Sequence, residues 1–68
     1  MHDRYHRACQ ALDAFAPPGS SLEEAIVDLI TDLLLYADHR RDEFSVLPDE
    51  HAGDLVMARA ELHYLSER

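Results

Sequence analysis

The chain has 68 residues, with 14 acidic residues against six arginines, and its net charge at pH 7 is −8. This length allows one domain at most, and the negative charge repels nucleic-acid phosphates, so direct binding of DNA or RNA is not expected. The single cysteine, Cys9, excludes an internal disulfide and suits a reducing compartment.

The sequence contains no apolar run approaching the roughly 20 residues that a membrane span needs. Its polar first segment, MHDRYHRAC, does not have the pattern of a secretion signal. We therefore expect a cytoplasmic protein without a membrane partner.

The charge is concentrated in one part of the chain. Residues 1–19 and residues 55–68 each contain two acids and two arginines, so the whole net charge of −8 lies in residues 20–54. Such a segment attracts basic surfaces. Acidity of this kind is also common simply because it keeps small proteins soluble.

A first helix is predicted over residues 3–15, with Asp3 as a plausible cap and Pro17-Pro18-Gly19 as its stop. Its apolar residues recur at the helical spacing of three and four. They are Tyr5, Ala8, Cys9, Leu12, Phe15 and Ala16.

A second helix is predicted over residues 21–40. Ser21 and Glu24 form a capping box at its start, and Arg40-Arg41 place positive charge at its end. Its apolar arc covers about half of the circumference, which is more than a lone small domain needs. The surplus predicts an oligomer interface at Val27, Ile30, Leu34 and Leu35.

A short turn or a one-turn helix is predicted within residues 42–53. A third helix then starts either at Pro48 or at Asp54 and runs to about residue 66. It carries one apolar stripe at Leu55, Ala58, Leu62 and Leu65. A second, weaker stripe consists of Val56, Met57, Ala60 and Tyr64.

The predicted fold is therefore all-α, a single small three-helix domain over residues 1–68. Because so short a chain buries little surface, we expect dimerisation to complete the helical bundle. The predicted core residues are Leu12, Phe15, Ile26, Leu29, Leu33, Leu55, Ala58 and Leu62.

Three acids on the second helix, Glu24, Asp28 and Asp32, recur every four residues and could hold Mg²⁺ together with phosphate oxygens. In this respect the helix is similar to the acidic motifs of all-α pyrophosphohydrolases of the MazG type. Those enzymes pair glutamates on two helices, and no second acidic helical motif occurs here. A solvated acidic face is therefore favoured, with a Mg²⁺-dependent nucleotide hydrolase-like dimer as the alternative.

His2 and His6 lie one helical turn apart, with Cys9 one turn later, which is a spacing that metal sites use. Because Cys9 falls on the apolar stripe, a buried structural cysteine is favoured and no metal site or cofactor is predicted. His39, His51 and His63 are scattered, and no nucleophile motif or Gly-rich phosphate loop is present. No catalytic residue is predicted, and an enzyme is not expected.

A helix-turn-helix interpretation, with PPGSS as the turn, would place an acidic helix in the major groove. This placement conflicts with phosphate electrostatics.

The segment LEEAIVDLITDLLLYAD and the terminal ARAELHYLSE resemble a group of short bacterial and phage all-helical proteins. These share an acidic "DLLTDLLHYAD"-like helix and an "A-x3-HY-x2-E"-like final helix. This chain departs from them at Leu35, where a polar residue or histidine is expected. The resemblance implies a small helical fold and a bacterial or phage source, and it implies no activity.

The sequence thus predicts a small acidic protein-interaction module, with a homodimer, a basic protein, or both as partners. One possibility is a phage or mobile-element inhibitor of a nucleic-acid-handling host protein. An antitoxin-like or regulatory partner is the other. The predicted partner-binding acids are Glu24, Asp28, Asp32, Asp42, Glu43, Asp49 and Glu50.

Overall fold

A computed structural model describes residues 2–15 and 19–68 of the chain, without the side chain of His2. It contains three α-helices, α1 (His2–Phe15), α2 (Leu22–His39) and α3 (Ala52–Glu67), with a short 3-10 helix at Arg41–Glu43. No strand occurs in these described ranges. The prediction of a small all-α fold with three helices is therefore confirmed.

The chain divides into two compact units, Met1–Thr31 and Asp32–Arg68, with the boundary inside α2. The least exposed side chains of the first unit are Leu12 and Phe15 of α1 and Ala25 and Leu29 of α2. The second unit contains the end of α2, the 3-10 helix and α3. A single domain over residues 1–68 stays a prediction.

The predicted capping box starts α2. The Ser21 hydroxyl oxygen accepts a hydrogen bond from the Glu24 backbone N–H at 3.1 Å, and the hydroxyl donates to the Glu24 carboxylate at 3.1 Å. This arrangement satisfies one of the backbone donors that every helix start leaves unpaired.

The stop predicted for α1 falls partly outside the described residues, because Ala16, Pro17 and Pro18 are not among them. Gly19 follows with a φ of +93°. That conformation favours glycine over any residue with a Cβ atom.

The start of α3 differs from both predicted positions, since the helix begins at Ala52. His51 is its N-cap residue but makes no side-chain capping hydrogen bond. The cap comes from α2 instead: Asp38 accepts a hydrogen bond from the Gly53 backbone N–H at 2.7 Å. A carboxylate at this end also interacts favourably with the helix dipole.

Gly53 lets α3 approach α2 closely. A Cβ atom at this position would lie 2.8 Å from the Leu34 carbonyl oxygen and 3.1 Å from the Asp38 carboxylate. Ala52 beside it is fully buried, and Ala37 on α2 is nearly so. The first turn of α3, where the helix approaches α2 most closely, is therefore built from small residues.

The burial prediction was only partly right. Leu12, Phe15, Leu29 and Leu55 are half-buried, whereas Ile26, Leu33, Ala58 and Leu62 are exposed. In the second unit the reason is the contact at Gly53, which turns Val56 rather than the Leu55–Leu65 stripe towards α2. Among the described residues no large side chain is fully buried.

We predict that Asp38→Ala lowers the free energy of unfolding by about 1 kcal/mol, because the Gly53 N–H loses its acceptor. Asp32→Ala, six residues earlier on the same helix, is the matched control and should stay within about 0.5 kcal/mol of the wild type. Urea unfolding followed by circular dichroism measures both. Equal losses in the two variants would contradict this role for Asp38.

Candidate protein-binding surface

The acidic side of α2 contains an exposed leucine. Leu35 is 61% exposed, as its position on the helix predicts, and it lies one turn after Asp32. Asp28 precedes Asp32 by one further turn on the same continuous helix. An apolar side chain among carboxylates is a feature of contact surfaces, where a central apolar residue is bordered by polar ones.

An apolar groove lies in the second unit, between the end of α2, the 3-10 helix segment and the first turns of α3. Its volume is about 380 Å³. Its lining residues are Leu33, Tyr36, Ala37, Arg40, Glu43, Phe44 and Val56. The Arg40 guanidinium crosses one edge, donating to the Tyr36 hydroxyl at 3.2 Å and pairing with Glu43 at 3.3 Å. The groove is therefore apolar inside and polar at its rim.

The predicted acids differ in how they are used within the chain. The Glu24 carboxylate accepts a hydrogen bond from the Ser21 hydroxyl, Glu43 pairs with Arg40, and the Glu50 carboxylate accepts a hydrogen bond from the Leu47 N–H at 2.9 Å. The carboxylates of the other four make no hydrogen bond or ion pair with described residues. These four are Asp28, Asp32, Asp42 and Asp49.

Arg41 holds the loop that contains Asp49 and Glu50. Its guanidinium donates to the carbonyl oxygens of Leu47 at 2.6 Å and Pro48 at 3.2 Å. Because one planar cation binds two successive carbonyls, it fixes the path of the chain between the 3-10 helix and α3. Arg41 therefore positions part of the acidic surface.

A second cleft, of about 370 Å³, lies beside this loop and is lined in part by Asp49, Glu50 and Asp54. The His51 imidazole borders it and lies 3.8 Å from the Asp38 carboxylate. Within the described residues, no group of three or more His, Cys, Asp or Glu side chains is placed to hold a metal ion. Glu24, Asp28 and Asp32, considered above as ligands of Mg²⁺, therefore do not form such a group.

The residues predicted as an oligomer interface are not equivalent. Val27, Ile30 and Leu35 are exposed. Leu34 is half-buried, and its carbonyl lies against Gly53 of α3. The interface itself stays a prediction.

Cys9 is exposed, which corrects the expectation of a buried structural cysteine. Tyr5, one turn before it on the same stripe, is also exposed, so this part of the apolar stripe is not buried within the described residues. The His6 ring lies edge-on to Tyr5 with ring centroids 6.2 Å apart. The side chain of His2, the other member of the predicted spacing, lies outside the described residues.

Two positioning residues, Asp38 and Arg41, were missed by sequence reasoning. Asp38 acts on a residue 15 positions away, and Arg41 binds backbone carbonyls six and seven residues ahead. Neither contact has a local sequence signature. The only hint is Gly53, since a glycine near a helix start can mark a close approach.

A comparison of the sequence with protein-family models, curated proteins and solved structures finds no significant match. Among the described residues no helix combines the length and the apolarity needed to cross a membrane.

We predict that Arg41→Ala lowers the free energy of unfolding by about 1–2 kcal/mol, because two carbonyls lose a charged donor. Arg40→Ala removes an exposed ion pair with Glu43 and an exposed hydrogen bond to the Tyr36 hydroxyl, and it should cost less than about 0.5 kcal/mol. Chemical denaturation of the two neighbouring variants gives the comparison. A larger loss for Arg40→Ala would mean that the loop is not held in this way.

Proposed function

We propose that this protein is a small cytoplasmic interaction module that binds a basic surface of another protein through the acidic side of α2. The observation that supports this most directly is Leu35, which is 61% exposed next to the unpaired carboxylate of Asp32. Exposed large apolar side chains at a surface of one charge sign suit a partner with an apolar pocket and a basic rim.

The two components of this surface have different roles. The carboxylates of Asp28 and Asp32 attract a basic partner over distance and set the rate and salt dependence of association. Leu35 supplies short-range apolar contact that salt does not screen. A partner that normally holds nucleic acid offers the required basic surface, so inhibition of such a protein is one use of the module. An antitoxin-like or regulatory role would use the same contacts.

The proposal predicts distinct effects for charge and apolar variants. Asp28→Asn/Asp32→Asn should weaken the complex about fivefold to tenfold at low salt and flatten its salt dependence. Leu35→Ser should weaken it about tenfold at every salt concentration. The partner is first captured from a lysate of the native host, and its dissociation constant is then measured against ionic strength.

The matched control is Asp3→Asn/Asp13→Asn on α1, which changes the net charge by the same amount, from −8 to −6. It should leave both the affinity and its salt dependence near the wild-type values. If the two charge variants behave alike, total charge rather than the α2 surface governs binding. Affinity that does not change with added salt would contradict the proposal directly.

A further inference from the structure

The last three turns of α3 are not buried against any other part of the described chain. Every residue from 57 to 68 is exposed, including Leu62 at 66% and Leu65 at 47%. A free helical segment this short is only marginally stable in water. A partner for this segment would therefore stabilise both the helix and the buried side chains.

The apolar side chains here form one seam. Leu55, Ala58, Leu62 and Leu65 recur at intervals of three, four and three residues, which is the spacing of helices that pack side by side. The residues of α3 that meet α2, namely Gly53 and Val56, lie on another side of the helix. We call these four residues the α3 seam.

We propose that the α3 seam is a self-association site, at which α3 of a second copy packs antiparallel against it. This inference does not depend on a basic partner. The charge distribution favours a second copy as the occupant, because residues 55–68 have no net charge whereas residues 20–54 have all of the −8. Two copies can therefore meet at this segment without bringing net negative charge together.

Charge also selects the antiparallel orientation. The acidic loop, with Asp49 and Glu50, leads into the N-terminal end of α3. Parallel helices would place the two acidic ends side by side. Antiparallel helices separate them by roughly 24 Å, the length of 16 residues at 1.5 Å each, which exceeds the screening length of about 8 Å at physiological salt.

The flank of the seam agrees with this orientation. Asp54, Glu61 and Arg68 recur every seven residues along one side. Antiparallel pairing then places Asp54 opposite Arg68 of the second copy at both ends, once Arg68 leaves its exposed position over the Tyr64 ring. The same pairing brings the two Glu61 carboxylates near each other at the centre. Four seam residues per copy bury less than the roughly 1,200 Å² of standard interfaces, so the dimer is a weak one.

The main experiment compares Leu62→Ser with Tyr64→Ser by sedimentation equilibrium, on the full chain, from about 10 µM to about 1 mM. The two side chains are matched in exposure, at 66% and 63%, but lie on different sides of α3. We expect the wild type to dimerise and Leu62→Ser to weaken the dimer more than about tenfold, since two leucines leave the interface. Tyr64→Ser should dimerise as the wild type does, and circular dichroism checks that both variants stay helical.

Two charge variants test the orientation. Glu61→Gln should strengthen the dimer about twofold to fivefold by removing the central repulsion. Arg59→Gln, on the opposite flank, should also strengthen the antiparallel dimer, because this packing brings the two Arg59 side chains near each other at the centre. A parallel dimer would instead be weakened, because Arg59 would face Asp54 of the second copy. A wild-type chain that is monomeric up to about 1 mM, or equal weakening by Leu62→Ser and Tyr64→Ser, would overturn the proposal. Protection of the seam only when another protein is added would also overturn it.

Discussion

The second unit depends on the hydrogen bond between the Asp38 carboxylate and the Gly53 backbone N–H, at 2.7 Å. This contact sets where α3 begins, because the N-cap residue His51 supplies no side-chain cap of its own. The same residue, Gly53, allows the close approach of the two helices, because only glycine fits against the Leu34 carbonyl. One carboxylate thus replaces a local cap and joins the consecutive helices α2 and α3.

Joining the helices through small residues has a consequence for the apolar side chains. Ala37, Ala52 and Gly53 occupy the buried positions, so larger residues such as Leu33 and Leu62 are left exposed. A 68-residue chain without a disulfide gains little from such an interior. Both proposed contacts, that of α2 with a basic protein and that of the α3 seam with a second copy, therefore follow from exposed apolar surface. The two surfaces are expected to bind different partners because the negative charge lies around α2 and not along α3.

Local features could be predicted from the sequence. The Ser21–Glu24 capping box and the helical periodicity correctly predicted α2, and the same periodicity predicted α1 and α3. Burial could not be predicted in the same way, because α3 has apolar residues on two sides and only the tertiary contact at Gly53 decides which side meets α2. The bonding of the acidic side chains could not be predicted either. The sequence shows where the negative charge is concentrated, but only the structure shows that the Glu50 carboxylate is hydrogen-bonded within its loop and that the Asp32 carboxylate on α2 has no such partner.

The central claim is that α3 is anchored at its first turn and gains its remaining order from a second copy. Amide hydrogen exchange along α3, measured at several protein concentrations, tests this most directly. Protection at residues 54–57 should not vary with concentration, whereas protection at residues 60–66 should increase as the concentration rises. Uniform protection along α3 that does not change with concentration would contradict the claim.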